Sequence, residues 1–339
     1  MRPIRLTLAL LAALPAAAAA QGERPPRPLR PVATYSIVAR DSATGEIGVA
    51  VQSHWFSVGT AVPWAEAGVG AVATQSFTEA SYGPLGLELM RLGRSGPDAL
   101  RALVSTDADS AVRQVAMIDA RGRVAAWTGG RNIRAAGNHV GRGYSVQANL
   151  MENATVWDAM ARAYESARGD LPERLLQALE AAQREGGDIR GRQSAAIVVV
   201  AGTSTGRPWA DRIVDLRVED HPEPVRELRR LVALGRVYRN LNEGDAAVTR
   251  NDMAAAAASY GRATTLLPDS ATNGEAVFWT GISVASARQV DRAIPFLRRA
   301  YAVWPKWAEL VRRLPAAGLL PNDPALIDRL VREMSQPAR

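Results

Sequence analysis

The sequence predicts a mixed α/β domain of antiparallel sheets followed by an all-helical tail. Three observations predict it. Strand patterns recur in hairpin pairs joined by short Gly-containing turns. The order along the chain is strands, two helices, strands, two helices, strands. From about Leu228 onward only helical patterns remain. Hairpins favour antiparallel pairing, and helical pairs inserted between them suit two stacked sheets covered on both outer faces.

The chain has 339 residues, enough for two domains. Met1 to Ala20 reads as a secretory signal peptide, with Arg2 and Arg5 at its start, an apolar stretch from Leu6 to Leu14, and small residues up to Ala20. Residues 21–33, rich in proline and arginine, read as an extended spacer or pro-segment. The protein is therefore expected to be exported, to a periplasm or outside the cell. The first hairpin runs from Thr34–Arg40 through the turn cluster Asp41–Gly45 to Glu46–Ser53. Ala67–Gln75 is a third strand. Two helices follow, at Tyr82–Leu92 and Pro97–Ser105. Arg113–Asp119 and Arg123–Thr128 flank Ala120-Arg121-Gly122 as a second hairpin. Tyr144–Asn149 is another strand. Ala154–Ser166 and Leu171–Glu185 are amphipathic helices, and Ser194–Val200 and Ile213–Val218 complete the strands. Asp220 is expected to cap the helix after Pro222.

Composition narrows the chemistry. The net charge is +7, but residues 1–33 carry +4 of it, and all basic residues except Lys306 are arginine. No dense basic run interleaves with aromatics, so nucleic-acid binding is not expected. No internal apolar run reaches the roughly 20 residues of a membrane helix. There is no cysteine, which removes disulfides, thiolate metal sites and a Cys nucleophile. His54, His139 and His221 are scattered and show no metal-ligand spacing, so neither a metal nor a cofactor is expected. Gly68-Val-Gly70 lacks the third glycine and the helix of a dinucleotide fingerprint.

Several motifs occur in order: Thr34-Tyr-Ser-Ile-Val-Ala-Arg-Asp41, Gly48-Val-Ala-Val-Gln-Ser53, Val62 to Gln75, Tyr82-Gly-Pro84, Tyr144-Ser-Val-Gln147, Gly191-Arg-Gln-Ser-Ala195 and Val214 to Pro222. Together they resemble the uncharacterised bacterial domain family 1028, over Thr34 to about Leu231. The resemblance implies membership of the N-terminal nucleophile (Ntn) hydrolase superfamily, with its four-layer αββα sandwich and amide-bond hydrolysis. It sets domain limits of 34–231 for the Ntn-hydrolase-like part and 232–339 for the tail.

Such an enzyme uses the hydroxyl or thiol of its first residue as nucleophile and the free α-amine as base. An amine with a pKa of about 7.7–8.0 accepts the hydroxyl proton near neutral pH. Thr34 opens a strand and fits this role, but only if the Ala33–Thr34 bond is cut, because removal of the leader alone leaves Gln21 as the terminus. Gln75 and Asn149, at strand ends, are candidate oxyanion donors. Ser53, His54, Gln147 and Arg192 are candidate substrate-binding residues, Arg192 as a bidentate partner for a carboxylate. Each amide also fits a plain sheet-end hydrogen-bonding role. Lacking lysine, the domain has no counterpart of the proteasome-type lysine. The expected substrate is a small peptide, an acyl-amide or a cell-wall fragment. The rival expectation is a non-catalytic protein of the same fold that binds partners through its tail.

The tail resembles about two tetratricopeptide units and a capping helix, Pro324–Met334. Ala276–Ala287 and Val290–Trp304 form one helix pair. Ala256, Tyr260, Ala263 and Pro268 precede Ala293, Leu297, Ala300 and Pro305 by 37 residues, near the usual period of about 34. The stretch Asn242–Asn251 reads as a long loop. A protein partner, or self-association, is expected at the tail.

Overall fold

The computed structural model describes residues 34–337. The expected signal peptide (1–20) and the expected spacer (21–33) lie outside the described residues. β1 (Thr34–Arg40) and β2 (Ile47–Ser53) form the first hairpin, with Thr34 opposite Ser53. β3 (Pro63–Glu66) and β4 (Gly70–Ser76) form the second. After α1 (Tyr82–Arg91) and α2 (Gly96–Thr106) come β5 (Arg113–Asp119), β6 (Val124–Thr128), β7 (Gly137–Gly141) and β8 (Tyr144–Asn149). Then follow α3 (Val156–Ser166), α4 (Leu171–Arg184), β9 (Ser194–Val200), the short α5 (Pro208–Asp211) and β10 (Arg212–Val218). The tail is α6 (Pro224–Thr249), α7 (Met253–Leu266), α8 (Glu275–Ser286), α9 (Val290–Val303), α10 (Trp307–Arg313) and α11 (Pro324–Met334). Side-chain caps start several of these helices. Ser95 accepts from the Asp98 amide and Asp170 from that of Glu173, each satisfying a backbone donor the helix itself leaves open.

The strands make two antiparallel sheets, ordered β10-β9-β2-β1-β8-β7 and β3-β4-β5-β6. Period-two alternation sorts their side chains into layers. On β1, Tyr35, Ile37 and Ala39 lie in one buried cluster with Met160 of α3, Leu175 and Leu179 of α4 and Leu228 of α6. On β5, Val115 and Met117 pack against Leu87 and Met90 of α1 and Leu100 of α2. The opposite faces meet each other: Val38, Val49 and Val51 of the larger sheet bury against Ala71, Ala73, Ala116 and Ile118 of the smaller.

Two strands escape the sequence patterns. β3 is short and begins on Pro63, which an edge strand tolerates. β7 is flanked by glycines, half exposed, and also lies at a sheet edge. The expected strand at Ala67 starts only at Gly70, because Gly68, at φ 72°, turns the chain between β3 and β4. Asp220 does not cap a helix. The residue before α6 is Glu223, whose amide donates to Nδ1 of His221 at 2.9 Å.

The expected loop at Asn242–Asn251 is also corrected, since α6 runs unbroken to Thr249. Gly244 marks a close approach there. A Cβ on it would lie 2.5 Å from the Tyr260 ring, and one on Gly281 would lie 2.8 Å from Leu297. These pairs share the 37-residue offset of the two prolines. The end of α6 with α7, and α8 with α9, are thus two copies of one helical hairpin. The boundary drawn at 231/232 falls inside α6. No helix among the described residues is long and apolar enough to cross a membrane.

Candidate functional site

At the Thr34 end of the sheets the inter-sheet layer changes character. Continuing inward-facing from Val38, β1 presents Ser36 and then Thr34. From Ala73, β4 presents Gln75. From Ile118 and Ala116, β5 presents Gln114. β8 presents Ser145, Gln147 and Asn149. All are buried to within 1% of complete. A buried polar group is costly unless paired, and here the pairing is dense.

The Ser36 hydroxyl donates to Oε1 of Gln75 at 2.6 Å and accepts from Nε2 of Gln147 at 2.6 Å. Gln147 Oε1 accepts from Ser145 at 3.0 Å. Gln114 lies at the centre. Its Oε1 accepts from Gln75 at 2.7 Å and from Asn149 at 2.9 Å. Its Nε2 reaches Thr128 Oγ1 at 3.0 Å and the backbone oxygens of Ala148 at 2.9 Å and Gly137 at 3.2 Å.

Thr34 closes the layer. Its hydroxyl donates to Ser53 Oγ at 3.3 Å. Its backbone oxygen accepts from Gln75 Nε2 at 3.2 Å and lies 3.5 Å from Asn149 Nδ2. The Gln75 and Asn149 amide donors are thus committed to the Thr34 carbonyl and Gln114. Asn149 Oδ1 is buried without a hydrogen-bond partner.

The backbone beside both amides is unusual. The residue after Gln75, Ser76, has φ 70°, and the residue after Asn149, Leu150, has φ 58°. Left-handed conformations in non-glycine residues cost about 1–2 kcal/mol each, and such outliers cluster at functional sites. Arg113, next to Gln114, is buried and ties this end of the layer to the loop after α2. It donates to Asp107 at 2.8 Å and to the Phe77 oxygen at 2.6 Å. Burial alone would push the Asp107 carboxyl up, but the Arg113 guanidinium, the Asp109 amide and the Tyr82 hydroxyl outweigh it and hold it below the ordinary value.

Of the residues expected at the site, Thr34, Ser53, Gln75, Gln147 and Asn149 converge. His54 and Arg192 do not join them. The His54 amide donates to Asp188 at 2.8 Å, and its Nδ1 faces Gly191. Arg192 pairs with Glu223 at the start of α6. Gln114, the hub, is not among the residues that the sequence predicts for the site. Its signal lies in the alternation: it shares a face with Ala116 and Ile118 and is the polar member of that inward row. Among the described residues no group of three or more His, Asp or Glu is placed to hold a metal ion.

The sequence of this part of the chain matches a known family. A model of the family of unknown function DUF1028 matches residues 34–228. This chain belongs to that family. A solved structure of a DUF1028 protein from Silicibacter pomeroyi is similar to it, at 31% identity and a TM-score of 0.53, over 59% of this chain and 88% of that one. No curated protein matches the chain. As a DUF1028 member, the chain places its matched segment's first residue, Thr34, in the polar layer.

Proposed function

We propose that this DUF1028 protein is an exported Ntn-type amidohydrolase, with the αββα sandwich of that superfamily, whose nucleophile is Thr34 after cleavage of the Ala33–Thr34 bond. One observation carries the reading: the first residue of the first strand has its side chain on the inter-sheet face, and a buried amide network grips its carbonyl. In the reaction, the Thr34 hydroxyl oxygen attacks the substrate carbonyl carbon while its proton passes to the α-amine. The C–N bond breaks as that proton moves to the leaving nitrogen. Water then attacks the ester carbonyl, giving a proton to the same amine, and the acyl–Oγ bond breaks as that proton returns to the Thr34 oxygen.

In this reading Gln75 and Asn149 hold the Thr34 backbone in attacking position, a role their present partners support better than that of waiting oxyanion donors. Asn149 faces Thr34 across the β1–β8 ladder, and its unpaired Oδ1 is an acceptor available to the released amine. Ser53 Oγ orients the nucleophile. The substrate is a small peptide or other amide. Export rests on residues 1–20.

A second reading has its own observation. In the uncleaved chain Thr34 is fully buried with its hydroxyl on Ser53, as suits a non-catalytic protein that binds through its tail. There a cavity of about 500 Å³, lined by Leu241, Tyr260, Trp279, Ile282 and Leu319, lies along α6, α7 and α8, in the position of a tetratricopeptide-like groove. Intact-mass analysis and N-terminal sequencing of the exported protein separate the two. The enzyme reading expects a mature chain starting at Thr34, with amide hydrolysis reduced at least about a thousandfold in Thr34→Ala. A stable terminus at Gln21 sinks it.

A further inference from the structure

We propose that four arginines at the opposite end of β1 form a binding site for a small multivalent oxyanion carrying phosphate or carboxylate groups. Arg40 is the last residue of β1, six residues from Thr34, which is about 20 Å along a strand. It lines a cavity of about 420 Å³ together with Arg121, Arg142, Arg174 and Ser42. The residues come from separate parts of the fold. Arg121 is in the β5–β6 turn of the smaller sheet, Arg142 in the β7–β8 turn of the larger, and Arg174 on α4.

Local sequence aims these side chains. Both turns place an arginine directly before a glycine with positive φ, Gly122 at 80° and Gly143 at 74°, conformations that glycine adopts without strain. Gly122 also lies beside the Arg40 stem, since a Cβ there would be in ordinary contact with Arg40 Cδ at 3.6 Å. The Arg40 amide donates to the Gly143 oxygen at 2.9 Å, tying the strand end to the turn.

The charges are unbalanced. No lining residue is acidic. Arg174 is held in place by Asp41 at 3.1 Å and by the Tyr164 ring, 4.4 Å beneath its guanidinium. Arg40, Arg121 and Arg142 have no ion pair among the described residues, and Arg40 Nε is buried with no hydrogen-bond partner. Like charges facing one cavity repel, and a bound anion reverses the sign of that interaction. The planar guanidinium fork matches phosphate and carboxylate oxygens in pairs. A cavity of this size takes a small molecule.

The test is isothermal titration calorimetry of the full chain with pyrophosphate and, separately, with citrate, at constant ionic strength. Saturable binding of at least one is expected, and which one binds reports the head group. The double variant Arg121→Ala/Arg142→Ala, both positions exposed, should bind that anion at least tenfold more weakly with an unchanged circular dichroism spectrum. Arg250→Ala/Arg332→Ala, in the tail, should bind it unchanged. The proposal is overturned if neither anion binds, if the turn variant keeps wild-type affinity, or if the tail variant weakens binding equally and so reports net charge alone.

Discussion

The two halves of the inter-sheet layer share β1, β4 and β5 and are equally buried, yet they hold together differently. In one half Val38, Val49, Ala116 and Ile118 are fully buried and make only non-directional contacts. In the other, Ser36, Gln75, Gln114 and Gln147 are equally buried and bound through specific atoms. Apolar burial stabilises, at roughly 25 cal/mol per Å², but tolerates small shifts of its members. Hydrogen bonds give a smaller net gain and a large penalty when one partner is lost. The apolar half therefore supplies stability, and the polar half supplies position.

The comparison can be broken most directly at its two centres. Gln114→Ala removes the acceptor for Gln75 and Asn149 and the donor to Thr128 and the Ala148 oxygen. With a penalty of about 1–3 kcal/mol for each buried group left unpaired, the expected loss is about 4 kcal/mol or more by urea titration. Ile118→Ala opens a cavity and should cost about 3 kcal/mol. On the proposed hydrolase reading, hydrolysis per folded molecule should fall in the first variant and hold in the second. Equal activity losses in both would erase the distinction between the halves.

A smaller effect, of opposite sign, is expected at Ser76. It combines φ 70° with a buried hydroxyl lacking a hydrogen-bond partner. Ser76→Gly should stabilise the protein by about 1 kcal/mol, read as a higher midpoint of thermal unfolding. If the strain positions Gln75, turnover should drop in the same variant.

The smallest effect is a pH dependence. The folded-state pKa of Asp107 is depressed, so its ion pair with Arg113 contributes fully above the ordinary carboxylate pKa of about 3.9 and is lost as pH falls through the lower folded value. Asp107→Asn should flatten that part of the acid unfolding curve and leave the neutral-pH slope unchanged. An acid limb identical to wild type would show that Arg113 is held without its partner.

How much of this was readable in the chain follows from the range of each signal. Alternation along Thr34–Arg40 and Arg113–Asp119, and turn residues between strands, are local and placed most elements within a few residues. Short edge strands such as Gly137–Gly141 offer too few alternations. Gly244 reads locally as a helix breaker, and only the Tyr260 ring across the hairpin explains it. At the site, the same alternation puts the strand-end residues Thr34, Ser53, Gln75, Gln147 and Asn149 together in one buried layer. The pairing of Arg192 with Glu223, 31 residues away, depends on how the segment before β9 meets α6, and no local pattern encodes it.

The unbroken α6 has a mechanical consequence. Its 26 residues span about 39 Å, with Leu228 packed over the larger sheet and Gly244, about 24 Å further along, packed on Tyr260. A tail on a flexible linker swivels freely. This one begins on a beam whose other end is part of a sheet's covering layer, so the first hairpin can turn only by levering Val225, Leu228 and Val232 against β9 and β10. Force on the tail is thereby geared to the sheet.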